Sequence, residues 1–327
     1  MSGDLVPKEN TDIAGGQGFV LPGVISRAGR NAQEGFLEFF FATIRNEHTR
    51  QAYARAIRDF FLWCEERELD LEKIASSPLV ISAYIENHPG SVPTIKQHLA
   101  ALRMLFDYLV KKQVVPSNPA TVVRGPKQVA REGKTPILSP AQVRQLIESI
   151  SLKTISGLRD RAMIGAFIYT WGRVSAVVGM KVKDYFPTGK TSTLRLHEKN
   201  GKVIDVPAHH NLQAWMDAYV SAAGIVNEPD TPLFRAIDVR RKLSSRPIHR
   251  NDALAMIKRR ARSAGLSPHL VCCHSMRGTG ITTYLENGGS LEYAQYMAGH
   301  ADVRTTKLYD RRQQRITQDE VERIHYW

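Results

Sequence analysis

The sequence predicts a mainly α-helical protein of two domains, a small all-helical one followed by a mixed α/β one carrying a small antiparallel sheet. Three observations lead there. The chain has 327 residues, more than one hydrophobic core usually serves, since cores rarely grow past about 250–300 residues. Apolar side chains recur at spacings of three and four between Phe36 and Val123. Farther on, two short β-type runs, Thr193–Leu196 and Val203–Val206, join through Asn200-Gly201, a hairpin-turn dipeptide, with helical patterns on either side.

In chain order, residues 1–34 are rich in Gly, Asn and small side chains without sustained periodicity, and read as a flexible tail. The helical domain spans residues 35–123. Asn46-Glu47-His48-Thr49 opens a helix bearing Tyr53, Ile57, Phe60, Phe61 and Cys64 on one face. A shorter helix fits Leu79–Asn87, stopped by Pro89-Gly90, and a longer one runs from about Pro93 to Lys112. Residues 124–135 (RGPKQVAREGKT) are polar and aperiodic, an interdomain linker. Ser139-Pro140-Ala141-Gln142 then combines an N-cap, a first-turn proline and a glutamine three past the cap, so a second domain covers residues 136–327. Its helices are expected at Leu158–Thr170, Asp252–Ala264 (closed by Gly265), His274–Glu286, Leu291–Met297 and Val303–Leu308, with a charged tail helix at about Gln318–His325.

Composition narrows the function. The net charge is +13, from 45 Lys and Arg against 32 Asp and Glu. Residues 1–135 hold 17 basic and 15 acidic side chains and residues 136–327 hold 28 and 17, so the excess sits in the second domain. An excess of this size favours a polyanionic partner, because each neutralised phosphate releases condensed counterions. Nucleic acid outranks a membrane surface or an acidic protein. No apolar run approaches the roughly 20 residues that span a bilayer, and the N-terminus lacks the basic-then-apolar order of a secretory signal. Three cysteines, Cys64, Cys272 and Cys273, make no disulfide framework, and a cytoplasmic location is expected.

Five segments of the second domain carry chemistry: Gly172-Arg173-Val174-Ser175, Glu198-Lys199-Asn200-Gly201-Lys202, His274-Ser275-Met276-Arg277, Ala298-Gly299-His300 and Thr305-Thr306-Lys307-Leu308-Tyr309. A phosphodiester attacked by a hydroxyl gathers negative charge on its non-bridging oxygens. Planar guanidinium groups match that geometry with paired, charge-assisted hydrogen bonds, so two arginines from separate segments make a clamp. A tyrosine can hold the broken bond as a covalent intermediate. Its reference pKa of about 10 means that it needs help losing a proton, and the leaving oxygen needs one. Histidine and lysine can serve both needs without a metal or a cofactor.

In this order (Arg, Lys, His-x-x-Arg, Gly-His, Tyr) the set resembles the tyrosine recombinase (phage integrase) family, through Arg173, Lys199, His274, Arg277, His300 and Tyr309. Residues 274–312 are similar to that family's signature block almost throughout, and the Thr49-x-x-x-Tyr53 opening is similar to its SAM-like core-binding domains. The resemblance covers about residues 35–325. It implies a C-shaped clamp of the two domains around double-stranded DNA, with the linker alongside. Arg173 and Arg277 would bind the scissile phosphate and Tyr309 would attack it to form a 3′-phosphotyrosyl link. Lys199 would protonate the leaving 5′-hydroxyl, His274 would transfer a proton and His300 would hydrogen-bond the developing charge. A homotetramer, monomeric or dimeric when free, would join two duplexes at short inverted core sites and exchange strands through a four-way junction. Integration, excision or resolution of a mobile element in a bacterial nucleoid is the expected setting, and the segment after Arg311 would dock on a neighbouring protomer. With about 35 residues before the helical domain, no separate arm-site domain is expected.

Four positions depart from the family. Ala176 stands where Glu usually follows Arg173-x-Ser175, leaving Arg173 without that orienting contact unless another carboxylate substitutes. Glu198 stands where Gly is common, Gly278 where His or Arg is common, and Met276 replaces Leu. Lys202 competes with Lys199, but counting back from Val206-Pro207 puts Lys199 at the family's lysine. His269-x-x-Cys272-Cys273-His274 fits no usual zinc spacing, and both cysteines read as small buried residues. His209-His210 reads as a surface turn, and Tyr293 and Tyr296 as packing residues. Two other functions compete with recombination: a catalytically idle DNA-binding regulator and a type IB topoisomerase-like enzyme.

Overall fold

In the computed structural model, residues 21–127, 135–311 and 321–322 are described. The chain divides into two compact units between Val129 and Ala130, inside the expected linker. The tail helix expected near 318–325 lies outside the described residues, apart from 321 and 322.

Among the described residues the first unit is all helical: α1 Gly23–Arg27, α2 Arg30–Glu38, α3 Glu47–Glu65, α4 Leu71–Ser76, α5 Pro78–Glu86 and α6 Val92–Lys111, with a π turn at Phe39–Thr43 after α2. Side chains close the first turns of α3, α4 and α5. Asn46 accepts from the Thr49 N–H of α3 at 3.1 Å and Asp70 from that of Lys73 in α4 at 2.8 Å. Phe36, Phe60, Phe61, Leu102, Leu105 and Phe106 are all fully buried, and the Phe60 and Tyr84 rings meet edge to face at 5.1 Å. The domain starts earlier than the sequence suggests. Residues 23–34 are not tail: Val24, Ile25 and Ala32 are buried in the same core, on helical segments interrupted at Gly29 and so too short for their periodicity to stand out.

The second unit mixes helices and strands: α7 Pro140–Glu148, α8 Ile155–Thr170, α9 Val174–Val178, β1 Tyr185–Thr188, β2 Thr191–His197, β3 Val203–Pro207, α10 His210–Ala223, β4 Arg235–Ile237, β5 Leu243–Pro247, α11 Arg250–Ser263, α12 Cys273–Glu286, α13 Leu291–Met297 and α14 Val303–Lys307. Ser139 and Gln142 form the expected capping box on α7. Helix α8 is the hub, buried along most of its length and packed against α10 and α12. It also carries a buried ion pair: Asp160 is fully buried and paired with its neighbour Arg159 at 2.6 Å and with Arg260 of α11 at 2.8 Å.

Strands β1, β2 and β3 form one antiparallel sheet in that order. Leu194 faces Val206 and Leu196 faces Ile204 on the buried side, while Arg195 pairs with Asp205 on the exposed side. Strand β1 hides in the sequence because Pro187 breaks a strand pattern, which an edge strand tolerates. His209 is not in a plain surface turn. Its Nδ1 accepts from the Asn211 N–H at 3.2 Å and caps α10.

Candidate active site

Helix α8 ends at Thr170, and Trp171 takes a left-handed conformation that turns the chain back toward α9. Arg173 follows as the N-cap of α9. Helix α12 begins with an unusual cap: the Cys272 thiol accepts from the Ser275 N–H at 3.3 Å, and the Ser275 hydroxyl accepts from the Cys272 N–H at 2.7 Å. Cys272 is thus a half-buried cap, whereas Cys273 is buried as expected. One helical turn then places His274 and Arg277 toward the same cavity. After α13, Gly299 adopts a φ of +60°, which side-chain-bearing residues avoid, and so turns the chain to deliver His300.

These segments converge on a cavity of about 510 Å³ walled by Arg173, His274, Arg277, His300 and Tyr309. The Tyr309 hydroxyl lies 2.7 Å from His274 Nε2. Its ring lies nearly parallel to that of His300, and its carbonyl accepts from the Thr282 hydroxyl of α12 at 2.9 Å. Arg277 is almost wholly buried and over-determined by its partners. Its Nη1 donates to the Trp171 carbonyl, and its Nη2 to the Ala298 carbonyl at 2.5 Å and to His300 Nε2 at 2.9 Å. Its Nε has no acceptor among the described residues. Because Arg277 can only donate, His300 Nε2 must accept, and His300 Nδ1–H therefore donates to the Thr306 hydroxyl at 2.9 Å.

Electrostatics follows from this crowding. Burial, then the Arg277 and Arg173 charges, push His300 down to about 4 and lower His274, so both imidazoles are neutral at pH 7. Burial raises the Tyr309 phenol above its ordinary value, and the two guanidinium groups oppose that rise. Burial also pushes Arg277 down to about 10, still charged at neutral pH.

Five of the six expected site residues come together. Lys199 does not join them: it lies exposed in a single 3-10 turn, Lys199–Gly201, between β2 and β3, outside the cavity wall. Lys202, on the other side of the turn, stacks its ammonium over the Tyr296 ring at 5.7 Å. Tyr293 and Tyr296 are each 72% exposed, so they are surface residues rather than packing ones; their helical spacing marks a face without saying what covers it. One partner escaped the sequence reading. Glu198 is buried, its Oε1 accepts from the Arg173 N–H at 3.1 Å, and its Oε2 pairs with Arg173 Nη1. Gly278 also finds its reason: a Cβ there would stand 3.1 Å from the Tyr309 ring and 2.9 Å from Ile137.

A helical SAM-like unit followed by this two-arginine, two-histidine, one-tyrosine pocket is the arrangement of an integrase. Residues 136–315 match the phage integrase family and residues 34–113 its N-terminal SAM-like domain. The chain belongs to the phage integrase family, and is a tyrosine site-specific recombinase. It is similar to tyrosine recombinase XerC of Chlamydia pneumoniae, 27% identical over 289 residues that span 80% of this chain and 88% of that one. Its fold is similar to that of the XerH site-specific recombinase bound to palindromic difH substrate in a post-cleavage complex, with a TM-score of 0.68, 18% identity, and 87% and 82% of the two chains covered. It is also similar to a lambda integrase tetramer bound to a Holliday junction, with a TM-score of 0.62, 16% identity, and 87% and 79% covered.

Proposed function

We propose that Tyr309 is the nucleophile of strand cleavage. The observation that carries this reading is its hydroxyl, 2.7 Å from a neutral His274 inside a cavity walled by two arginines. The Tyr309 oxygen attacks the phosphorus and passes its proton toward His274 Nε2. The bond from phosphorus to the 5′ oxygen breaks, leaving a 3′-phosphotyrosyl link and a free 5′-hydroxyl. Arg173 and Arg277 hold the non-bridging oxygens, and a phosphate oxygen would give the buried Arg277 Nε the acceptor it lacks in the protein. His300 Nε2 accepts from Arg277, so its role is to aim that guanidinium as well as to face the developing charge. Lys199 protonates the leaving oxygen, which requires the β2–β3 turn to carry it toward the cavity when DNA binds.

Attack by the 5′-hydroxyl of another strand reverses these steps and exchanges strands. The reading extends to a homotetramer that holds two duplexes at short inverted core sites, exchanges them through a four-way junction, and integrates, excises or resolves a mobile element in the bacterial cytoplasm. The test is a duplex nicked beside the cleavage site, so that the short 5′ fragment diffuses away and traps the intermediate. Wild-type protein is expected to give a covalent protein–DNA band and Tyr309→Phe none, at equal DNA affinity. Trapped DNA from Tyr309→Phe would show another nucleophile, and a missing wild-type band would favour a DNA-binding regulator. Relaxation of plasmids that lack any special site would favour a topoisomerase.

A further inference from the structure

We infer that Glu198 is a positioning residue for DNA cleavage, holding Arg173 in the direction that faces the scissile phosphate. This rests on the assignment of Arg173 to that phosphate.

Arg173 is the N-cap of α9, so its backbone N–H and its guanidinium both need an acceptor from outside that helix. A Glu at the third helical position could reach back to such an N–H, closing a capping box. That position is Ala176, 3% exposed and without a polar atom on its side chain. Glu198 supplies both bonds instead, across the sheet: Oε1 takes the backbone N–H at 3.1 Å and Oε2 takes Nη1. Its carboxylate is 3% exposed while the Arg173 side chain is 36% exposed, so the pair is buried on the glutamate side and open on the arginine side. The glutamate itself is fixed, because its own N–H donates to the Lys202 carbonyl at 2.7 Å and closes the β2–β3 turn. The other restraint on Arg173 is a long Nη2 hydrogen bond to the Gly299 carbonyl at 3.4 Å, too weak to aim a guanidinium alone. Glu198 therefore sets the direction of Arg173 and fastens the lysine-bearing turn to the same arginine.

The test is single-turnover trapping of the nicked duplex at saturating protein, alongside DNA affinity and thermal unfolding. Glu198→Ala is expected to slow covalent capture about 10- to 100-fold, the worth of one charge-assisted hydrogen bond, with DNA affinity within about twofold of wild type. Glu198→Gln keeps the volume and the acceptor for the Arg173 N–H but loses the charge, and is expected to fall between the two. It also decides the matter should Glu198→Ala unfold. In an Arg173→Lys background, where the paired guanidinium is already gone, neither change at 198 is expected to cost more than about twofold further. A purely structural glutamate would instead give penalties that multiply in that background, and this overturns the inference. Capture by folded Glu198→Gln and Glu198→Ala at the wild-type rate overturns it equally. Failure of the wild-type protein to form the covalent complex would instead strike at the cleavage chemistry, a separately visible outcome.

Discussion

At the scale of single residues, burial and crowded positive charge shift where the groups of the site titrate. His274 lies below its usual value because its ring is partly desolvated in the cavity wall and faces two guanidinium charges, so it is neutral at pH 7 and in the proposed mechanism takes the Tyr309 proton. Covalent capture is therefore expected to stay flat from about pH 8 down past 6.5, the free imidazole value, and to fall only when His274 finally protonates; a fall already centred at 6.5 would show an unshifted base. His274→Ala is expected to slow capture by about a hundredfold or more, measured at saturating DNA. His300 has the opposite kind of importance, for the fold. Native His300 is pushed down to about 4 while the unfolded chain protonates near 6.5, so the unfolded state holds more protons between those values. Its contribution to stability is complete above about pH 6.5 and is lost as pH falls toward 4; His300→Asn should flatten that decline in melting temperature. Most of this pocket was legible in the sequence, because Arg173, His274, Arg277, His300 and Tyr309 are side chains whose chemistry survives in a string of letters. Glu198 was not. Its role depends on a partner 25 positions away, and the hint lay in two departures seen separately, a carboxylate missing at 176 and one gained at 198.

Elements hold these residues still. Helices α8 and α12 cross so closely that a Cβ on Gly280 would stand 2.0 Å from the Ile168 carbonyl. Gly280→Ala is expected to destabilise the protein by about 1–3 kcal/mol and to loosen Arg277 with it, as read by denaturant unfolding. Asp160 holds α11 to α8 through Arg260 and neutralises its buried neighbour Arg159, and Asp160→Ala would leave that guanidinium unpaired, at a cost of about 3–5 kcal/mol. Long periodic helices such as α3 and α6 could be read within a residue or two, since their apolar spacing carries the signal. Elements that tertiary packing defines could not. Strand β1 contains a proline, β4 and β5 are short and basic, and α10 starts on a histidine cap.

For the molecule as a whole, charge is unevenly shared, with a surplus of two over residues 1–135 and of eleven over residues 136–327. DNA affinity is expected to fall linearly on logarithmic axes as salt rises, and charge-neutralising changes in the basic helix α11 should reduce that slope by about one for each phosphate left unneutralised. Among the described residues no helix is long and apolar enough to cross a membrane.

The fastening of the Tyr309 carbonyl to Thr282 has a bearing on how labour is divided among copies of the chain. The tyrosine is tied to the very helix that supplies His274 and Arg277, so under the proposed mechanism every copy brings its own blade, anvil and handle. Two crippled copies therefore have nothing to lend each other. Mixing Tyr309→Phe with Arg173→Ala on one DNA site is expected to leave both strands uncut, whereas a nucleophile donated between neighbours would revive half of the cuts.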